Sequence, residues 1–358
     1  MSTATYKALV ATKFTGNTAD YRIIDMPRPK ITKETQIEVT VHAAAVNIID
    51  PYRAMGMLTV VLPEAPPVKF GYDVAGIVTQ VGSKVKRFAV GDRVYGCLNS
   101  DEIGSVGEYV VTDEKYMAPI PADSVDYTVA ASVPLAGLTA KQALDAGGAH
   151  EGQTVYVTGG MGGVGMFGTF LARHYYKAKD VITTVSTAKV EHAEKMGAAT
   201  RIVDYTKDKE YAKTLENTAD LVFDSIGDKS CYMVAKPGST VSSVALIPDG
   251  NNMDKMLVES MPLSWLGWLK LAVAKQSMNV AKWRATAAFR AKNVSYVHVF
   301  GVPNGKEIEE TFNPFLANGL LKPYIQDIFP FTEEGVKAAY DKCLGLHTTG
   351  KIVIRIRD

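Results

Sequence analysis

The stretch "TVYVTGGMGGVGMFGTFLAR", residues 154 to 173, decides the reading of the fold. A short β-branched and apolar run is followed by five glycines within positions 159 to 165, and then by an apolar pattern of helical period. Gly160-x-Gly162-x-x-Gly165 thus follows a strand and opens a helix, the setting in which such spacing carries information. One glycine permits the tight turn, one lets backbone approach a pyrophosphate with no Cβ in the way, and one allows helix to pack closely on strand. The helix N-terminus, reached through Gly163 and Val164, presents N–H groups and a partial positive charge to the phosphates. The competing reading, a glycine-rich turn that binds nothing, has five further strands against it.

Those strands are "DVITTV" at 180, "TRIVDY" at 200, "ADLVFD" at 219, "STVSSV" at 239 and "SYVHVF" at 295. Six short β-branched runs spaced by helical patterns are the sequence form of a doubly wound parallel sheet. Upstream the rhythm differs. "QIEVTVHAAAV", "VAGIVTQVG" and "GEYVVTDEKYMAPI" alternate polar and apolar between Gly- and Pro-bearing turns, which predicts an antiparallel, strand-rich domain. The expected organisation is a β-rich domain over 1–132, a parallel α/β domain over 133–302, and a tail over 303–358. In that tail a helix at 304–319 precedes the strand "GKIVIRIR", which returns to the first domain.

The end of the second parallel strand selects the nucleotide. An NAD enzyme places an acid there to accept hydrogen bonds from the ribose 2'-hydroxyl. Here the strand ends in Ser186, Thr187 and Lys189, while Asp180 sits at its opposite end. Hydroxyls and an ammonium stabilise a 2'-phosphate that an acid would repel. The cofactor expected is NADPH, with Lys189 as an ordinary helix-start lysine the plainer alternative.

The totals bound the rest. With 39 basic and 38 acidic residues in 358, the net charge of +1 gives no global field to recruit nucleic acid or an anionic membrane. Cys97, Cys231 and Cys343 form no C-x-x-C pair, which argues against a disulfide framework and a thiolate zinc site and for a reducing, cytoplasmic setting. "MSTATYKALVATKF" shows no secretory pattern. The densest apolar stretch, 261 to 274, carries Lys270 and is shorter than the roughly 20 residues a bilayer span needs.

Taken in order, "AAAVNIIDPYRAMG", "GYDVAGIVTQVGSKVKRFAVGDRVYG", "PLAGLTA", "GGMGGVG" and "VFDSIG" resemble the medium-chain dehydrogenase/reductase superfamily on its zinc-free quinone oxidoreductase side. The likeness runs over nearly the whole chain. It implies an α/β protein with a GroES-like β-rich catalytic domain, a Rossmann cofactor domain, a cleft between them and a homodimer. It also implies roles by position. Asn47 and Tyr52 in "VNIIDPYR" match residues lining the nicotinamide and substrate pocket, and Thr139 in "GLTA" a residue near the nicotinamide. Ser186 and Lys189 in "TVSTAK", with Tyr205 in "IVDYT", match the 2'-phosphate clamp. The plainer readings are a helix cap for Asn47, core packing for Tyr52 and a strand-end aromatic for Tyr205.

Two departures from the zinc-dependent relatives matter. Where those place a cysteine and a His-Glu pair, this chain has Asn47 and Gly71-Tyr72-Asp73, and of the four-cysteine structural loop only Cys97 is present. Tyrosine does not replace a neutral imidazole as an ordinary zinc ligand, so no metal is expected. The segment 249–293, carrying Trp265, Trp268 and Trp283, is longer and more apolar than a sheet crossover needs. Buried packing is the plain reading; a cleft cap, a dimer face and contact with a membrane surface are the others.

Without a metal to polarise a carbonyl or an alcohol, reduction of an activated double bond is the easier chemistry. Hydride from the nicotinamide C4 attacks a quinone, or the β-carbon of an enone, and charge grows on the distant oxygen. Fixed donors stabilise that oxygen, and Asn47 and Tyr52 are the candidates. The expected function is an NADPH-dependent, metal-free reductase of quinones or α,β-unsaturated carbonyl compounds. A sensor or scaffold that binds NADPH without turnover, or an alcohol dehydrogenase-like activity, are the alternatives.

Overall fold

The computed structural model describes residues 4–56, 59, 64–102, 104–245, 276–277, 279, 283–284 and 286–358. The chain divides into two compact units, Met1–Leu138 with Val302–Asp358, and Thr139–Gly301.

The first unit holds two sheets. Strands β1 (Thr5–Ala11), β2 (Tyr21–Pro27) and β4 (Val68–Lys69) form a three-stranded sheet in the order β2-β1-β4. The larger sheet uses β3 (Gln36–Val46), β5 (Asp73–Val81), β6 (Arg93–Cys97), β7 (Tyr109–Asp113) and β8 (Met117–Pro119). From late in the chain it adds β15 (Ile325–Pro330) and β16 (Lys351–Arg355). Its order is β15-β16-β3-β5-β6-β8, with β7 pairing β3 off this path. All of these pairs are antiparallel except β15 with β16.

β3 is the spine of the sheet. It pairs with β16, β5 and β7, and nine of its eleven residues are buried rather than every second one. "QIEVTVHAAAV" suits that place, because β-branched residues pack on the pleat and Ala43, Ala44 and Ala45 let covering groups approach closely. The core beneath it comprises Ile37, Val39, Val41, Val74, Val78, Leu98 and Met117. A second cluster stacks Tyr21, Phe70 and Tyr340, with ring centroids 4.8 to 5.5 Å apart.

The second unit is a six-stranded parallel sheet built from β9 (Thr154–Val157), β10 (Asp180–Val185), β11 (Arg201–Asp204), β12 (Ala219–Asp224), β13 (Ala235–Ser243) and β14 (Ser295–His298). Its order, β11-β10-β9-β12-β13-β14, is that of two βαβαβ halves wound in opposite directions from a central pair. Strand order reverses between β9 and β12, which makes their carboxyl ends the crevice where doubly wound sheets bind ligands. All six strands anticipated between 154 and 298 are present. Gly168, on the helix Gly165–His174, lets that helix lie against the sheet: a Cβ there would come within 2.4 Å of the Phe223 ring. Trp265 and Trp268 lie outside the described residues. Trp283 is described and 64% exposed, with the Arg290 guanidinium 4.8 Å from its ring centroid.

Candidate active site

The carboxyl ends of β9 and β10 hold the glycine loop. Gly159 has φ +61 and makes the turn, one position before the three glycines of the motif. The loop is pinned to β10: Gly160 N donates to Thr184 O at 3.1 Å and Gly159 N to Thr184 Oγ1 at 3.2 Å. Each glycine has its own cause. A Cβ on Gly160 would fall 1.9 Å from Thr183 Oγ1, and one on Gly165 would fall 2.2 Å from Gly159 O. A Cβ on Gly162 would meet only Gly159 O, at 3.2 Å. The protein therefore needs glycine at 160 and 165 for its own packing, whereas at 162 a Cβ would press on one carbonyl oxygen alone. Gly163, Val164 and Gly165 donate to no acceptor among the described residues. Three adjacent N–H groups at the start of a ten-residue helix are thus left without a backbone acceptor, the arrangement that can act as an anion cradle.

Ser186, Thr187 and Lys189 follow β10, and Tyr205 follows β11. The parallel register that pairs Val185 with Asp204 sets the two strand ends side by side, and Tyr205 N donates to Val185 O at 3.1 Å. Ser186, Lys189 and Tyr205 are thus brought to one edge of the sheet beside the glycine loop. Partial burial pulls the Lys189 ammonium below the usual lysine range. Asp204, which the spacing did not single out, accepts from Thr187 Oγ1 at 2.7 Å and from Thr206 N at 2.9 Å. Thr139 opens this unit, its hydroxyl 2.3 Å from where a Cβ on Gly301 would lie.

A second residue that sequence reasoning passed over is Asp224, the last of β12 and fully buried. Its Oδ1 accepts from Thr158 Oγ1 at 3.0 Å and from the backbone N–H groups of Gly227 and Asp228, each at 3.0 Å. Its Oδ2 accepts from Ser243 Oγ at 2.9 Å. One carboxyl thereby ties together the carboxyl ends of β9, β12 and β13 and shapes the loop that leads to Ile226. Burial nonetheless holds its pKa above the ordinary carboxylate range.

In the first unit, Asn47 and Tyr52 stand on either side of the entry to a short helix, Ile49–Ala54. Asn47 N donates to Asp50 Oδ2 at 2.8 Å and Asp50 N returns to Asn47 O at 3.0 Å, so the turn closes on itself. The Asn47 carboxamide is also held at both ends. Its Nδ2 donates to Asp73 Oδ2 at 2.9 Å and, at a longer 3.3 Å, to Ala45 O, while its Oδ1 accepts from Lys351 Nζ at 2.5 Å. Lys351 reaches Asp73 Oδ2 at 3.4 Å, and Leu135 N donates to Asp73 Oδ1 at 2.7 Å. Tyr52 is different: it is 36% exposed and its hydroxyl has no partner among the described residues.

Asp50 is the outlier in charge. It is wholly buried, its Oδ1 lacks a partner among the described residues, and its Oδ2 accepts from Asn47 N and from Tyr340 OH at 3.3 Å. Burial pushes its pKa up to about 7, with the nearby Asp73 adding to the rise and hydrogen bonds opposing it. Asp73 is raised by burial too, against the pull of Lys351 and Asn47.

This setting does not suit zinc. The candidate donors are an amide already bound to an ammonium, carboxylates committed to that amide and to backbone, and Tyr72, whose phenol burial pushes up. Among the described residues no three His, Cys, Asp or Glu side chains converge on one point.

A β-rich unit joined to a doubly wound sheet with a glycine-loop anion cradle is the architecture of a nicotinamide-dependent dehydrogenase or reductase. Comparison with known proteins agrees. Residues 33–122 match the alcohol dehydrogenase GroES-like domain and residues 196–354 the zinc-binding dehydrogenase domain. The chain is 32% identical over 331 residues to the 2-methylene-furan-3-one reductase of Solanum lycopersicum, covering 90% of this chain and 72% of that one. It is 31% identical, with the same coverage, to the chloroplastic NADPH-dependent alkenal/one oxidoreductase of Arabidopsis thaliana. In fold it matches the quinone oxidoreductase from Coxiella burnetii with a TM-score of 0.81 at 24% identity, covering 99% of this chain and 100% of the other. The chain belongs to the medium-chain dehydrogenase/reductase superfamily.

Proposed function

We propose that this chain is an NADPH-dependent, zinc-independent reductase of α,β-unsaturated carbonyl compounds or quinones. The observation that carries the reading is Asn47: where metal-dependent chemistry needs an anionic ligand, the chain places a neutral carboxamide locked to an ammonium. The activities for which the tomato and Arabidopsis relatives are named support it.

The cofactor would be held by the N–H groups of Gly163, Val164 and Gly165 and the open face of Gly162, with Gly160 packing the loop. Ser186, Lys189 and Tyr205 would take its 2'-phosphate, and Thr139 would stand near its nicotinamide end. When bound, NADPH supplies the hydride and with it both electrons. The chain's own contribution is to orient the acceptor and stabilise charge on its oxygen. Tyr52 Oη, exposed and unpartnered, is the donor to that oxygen and the route for the proton that completes the reduction. Asn47 Nδ2 contributes its second hydrogen, the one spent on the long contact with Ala45 O. Asp224, by shaping the loop over the cradle, keeps the N–H groups aimed.

We further read the protein as a homodimer working in a reducing compartment such as the cytosol. All three cysteines are unpaired, and among the described residues no helix is long and apolar enough to cross a membrane.

The test is to mix chelator-treated protein with NADPH and either a small enone or a small quinone, following loss of reduced-nicotinamide absorbance. Turnover is expected, and the Tyr52→Phe variant should lose about 100-fold in kcat with its NADPH affinity intact. Tight NADPH binding with no consumption across both acceptors would sink the enzymatic reading. Recovery of activity only on adding zinc would sink the metal-independent one.

A further inference from the structure

We propose that Lys351 and Asp73 are positioning residues that fix the carboxamide of Asn47 in one orientation, so that it faces the acceptor as a hydrogen-bond donor and not as an acceptor. The proposal rests on the reductase reading above and deepens it, because it assigns a basis for preferring carbonyl substrates over alcohols.

The argument is one of donors and acceptors. A side-chain amide has two chemically opposite ends of nearly equal shape, so packing alone scarcely chooses between them. An ammonium can only donate and a carboxylate can only accept. Lys351 Nζ lies 2.5 Å from Asn47 Oδ1 and Asp73 Oδ2 lies 2.9 Å from Asn47 Nδ2. Rotating the amide by half a turn would set its NH2 against the ammonium and its carbonyl against the carboxylate. It would lose two charge-assisted hydrogen bonds and gain two repulsions. The Lys351 side chain is 3% exposed and that of Asp73 is fully buried, so water does not soften the choice.

The fold supplies this geometry. Ile352 pairs with Val46 across β16 and β3, which carries Lys351 alongside Asn47. Asp73 pairs with Ala45, two residues earlier on the same face. Three side chains that are far apart in sequence are thereby held by register alone. What remains to the amide for a ligand is one Nδ2 hydrogen, now on its 3.3 Å contact with Ala45 O. An oxygen that accumulates negative charge would take that hydrogen. An alcohol oxygen could take it too, but the alcohol's own O–H would find no acceptor on the amide, whose Oδ1 is held by Lys351.

The experiment compares Lys351→Arg, Lys351→Met and the double variant Lys351→Met/Asp73→Asn with wild type. The double variant removes both charges together, so neither partner is left as an unpaired buried ion and orientation is separated from the burial of their charges. NADPH binding, read by fluorescence of the reduced nicotinamide, should be unchanged in all. Lys351→Met and the double variant should lose about 100-fold in kcat toward a small enone, the scale of losing one oxyanion donor, whereas Lys351→Arg should stay within about tenfold of wild type. In the double variant the saturated ketone and the matching alcohol should inhibit about equally, whereas wild type should favour the ketone. A double variant that folds, turns over within about threefold of wild type and keeps the ketone preference would overturn the proposal.

A second readout needs no turnover. The Asn47 side-chain amide, assigned by its disappearance in Asn47→Ala, should exchange hydrogen slowly in wild type and rapidly in the double variant. Equal exchange in the two would overturn the proposal even if wild type reduced neither acceptor, a result that would separately refute the reductase reading.

Discussion

A carboxyl group buried as completely as that of Asp50 holds its proton more firmly in the folded chain than in the unfolded one, and this has a sign. Between the ordinary value of 3.8 and the folded value of about 7, the native state binds more protons than the unfolded state, so stability falls as pH rises through that window. Replacing Asp50 by the uncharged isostere removes this dependence. The Tm of Asp50→Asn should therefore gain on that of wild type as pH increases from about 4 to above 7, and a constant difference across the range would contradict it. At this scale Asn47 and Tyr52 stand out as candidates because both lie in one short motif. Their partners do not. Lys351 meets Asn47 from 304 positions away, and no local pattern announces a contact that only β-strand register creates. A lysine in the run "GKIVIRIR" reads as an ordinary strand-edge charge until β16 is placed beside β3.

At the scale of the element, the glycine loop separates two demands that one motif hides. Gly160→Ala drives a methyl group onto Thr183, so it should cost about 1–3 kcal/mol of stability by overpacking. Gly162→Ala sets its methyl against Gly159 O alone, at 3.2 Å, so it should lose less stability than Gly160→Ala yet weaken NADPH by about tenfold or more, a loss of about 1.4 kcal/mol. Thermal melts and fluorescence titrations on both variants check the contrast. A Gly162→Ala protein that binds NADPH normally would remove that position from the cofactor's path. The strand-glycine-helix unit itself was plain in the sequence, since alternation, punctuation and helical period all change within twenty residues. The positive φ was less so, because it falls on Gly159, the first of the five glycines and outside the motif spacing. Asp224 escaped notice for another reason: a polar residue at a strand end looks like a loop start, and its burial comes from three strand ends meeting in space.

Across the whole molecule, the alternation of strand and helix from 154 to 298 foretold the parallel sheet, and turn-punctuated runs foretold the antiparallel one. What alternation could not convey is that β3 is buried on both faces, since that depends on what the fold packs over each face and not on the strand's own pattern. β16 is an interior strand, flanked by β15 and β3, although it lies beyond the entire second unit in sequence. Ending the chain at Gly350 should therefore unravel the larger sheet of the first unit and not merely trim it. Hydrogen exchange should show lost protection in β3 and β5 with β9 and β12 still protected, and an unchanged β3 would argue that the strand is dispensable.

The same interleaving imposes an order on biosynthesis. A nascent chain that has delivered Leu138 must still extend through 213 further residues before Lys351 exists, about 10–40 s at ordinary elongation speeds. Throughout that interval β3 has an open seam and Asp73 lacks its counter-ion, while the strands of the nucleotide-binding sheet emerge in turn and are all present once His298 has been added. The first unit of the molecule is thus the last to mature, and a ribosome that stalls between the two events leaves a chain with an exposed sheet margin for chaperones to guard.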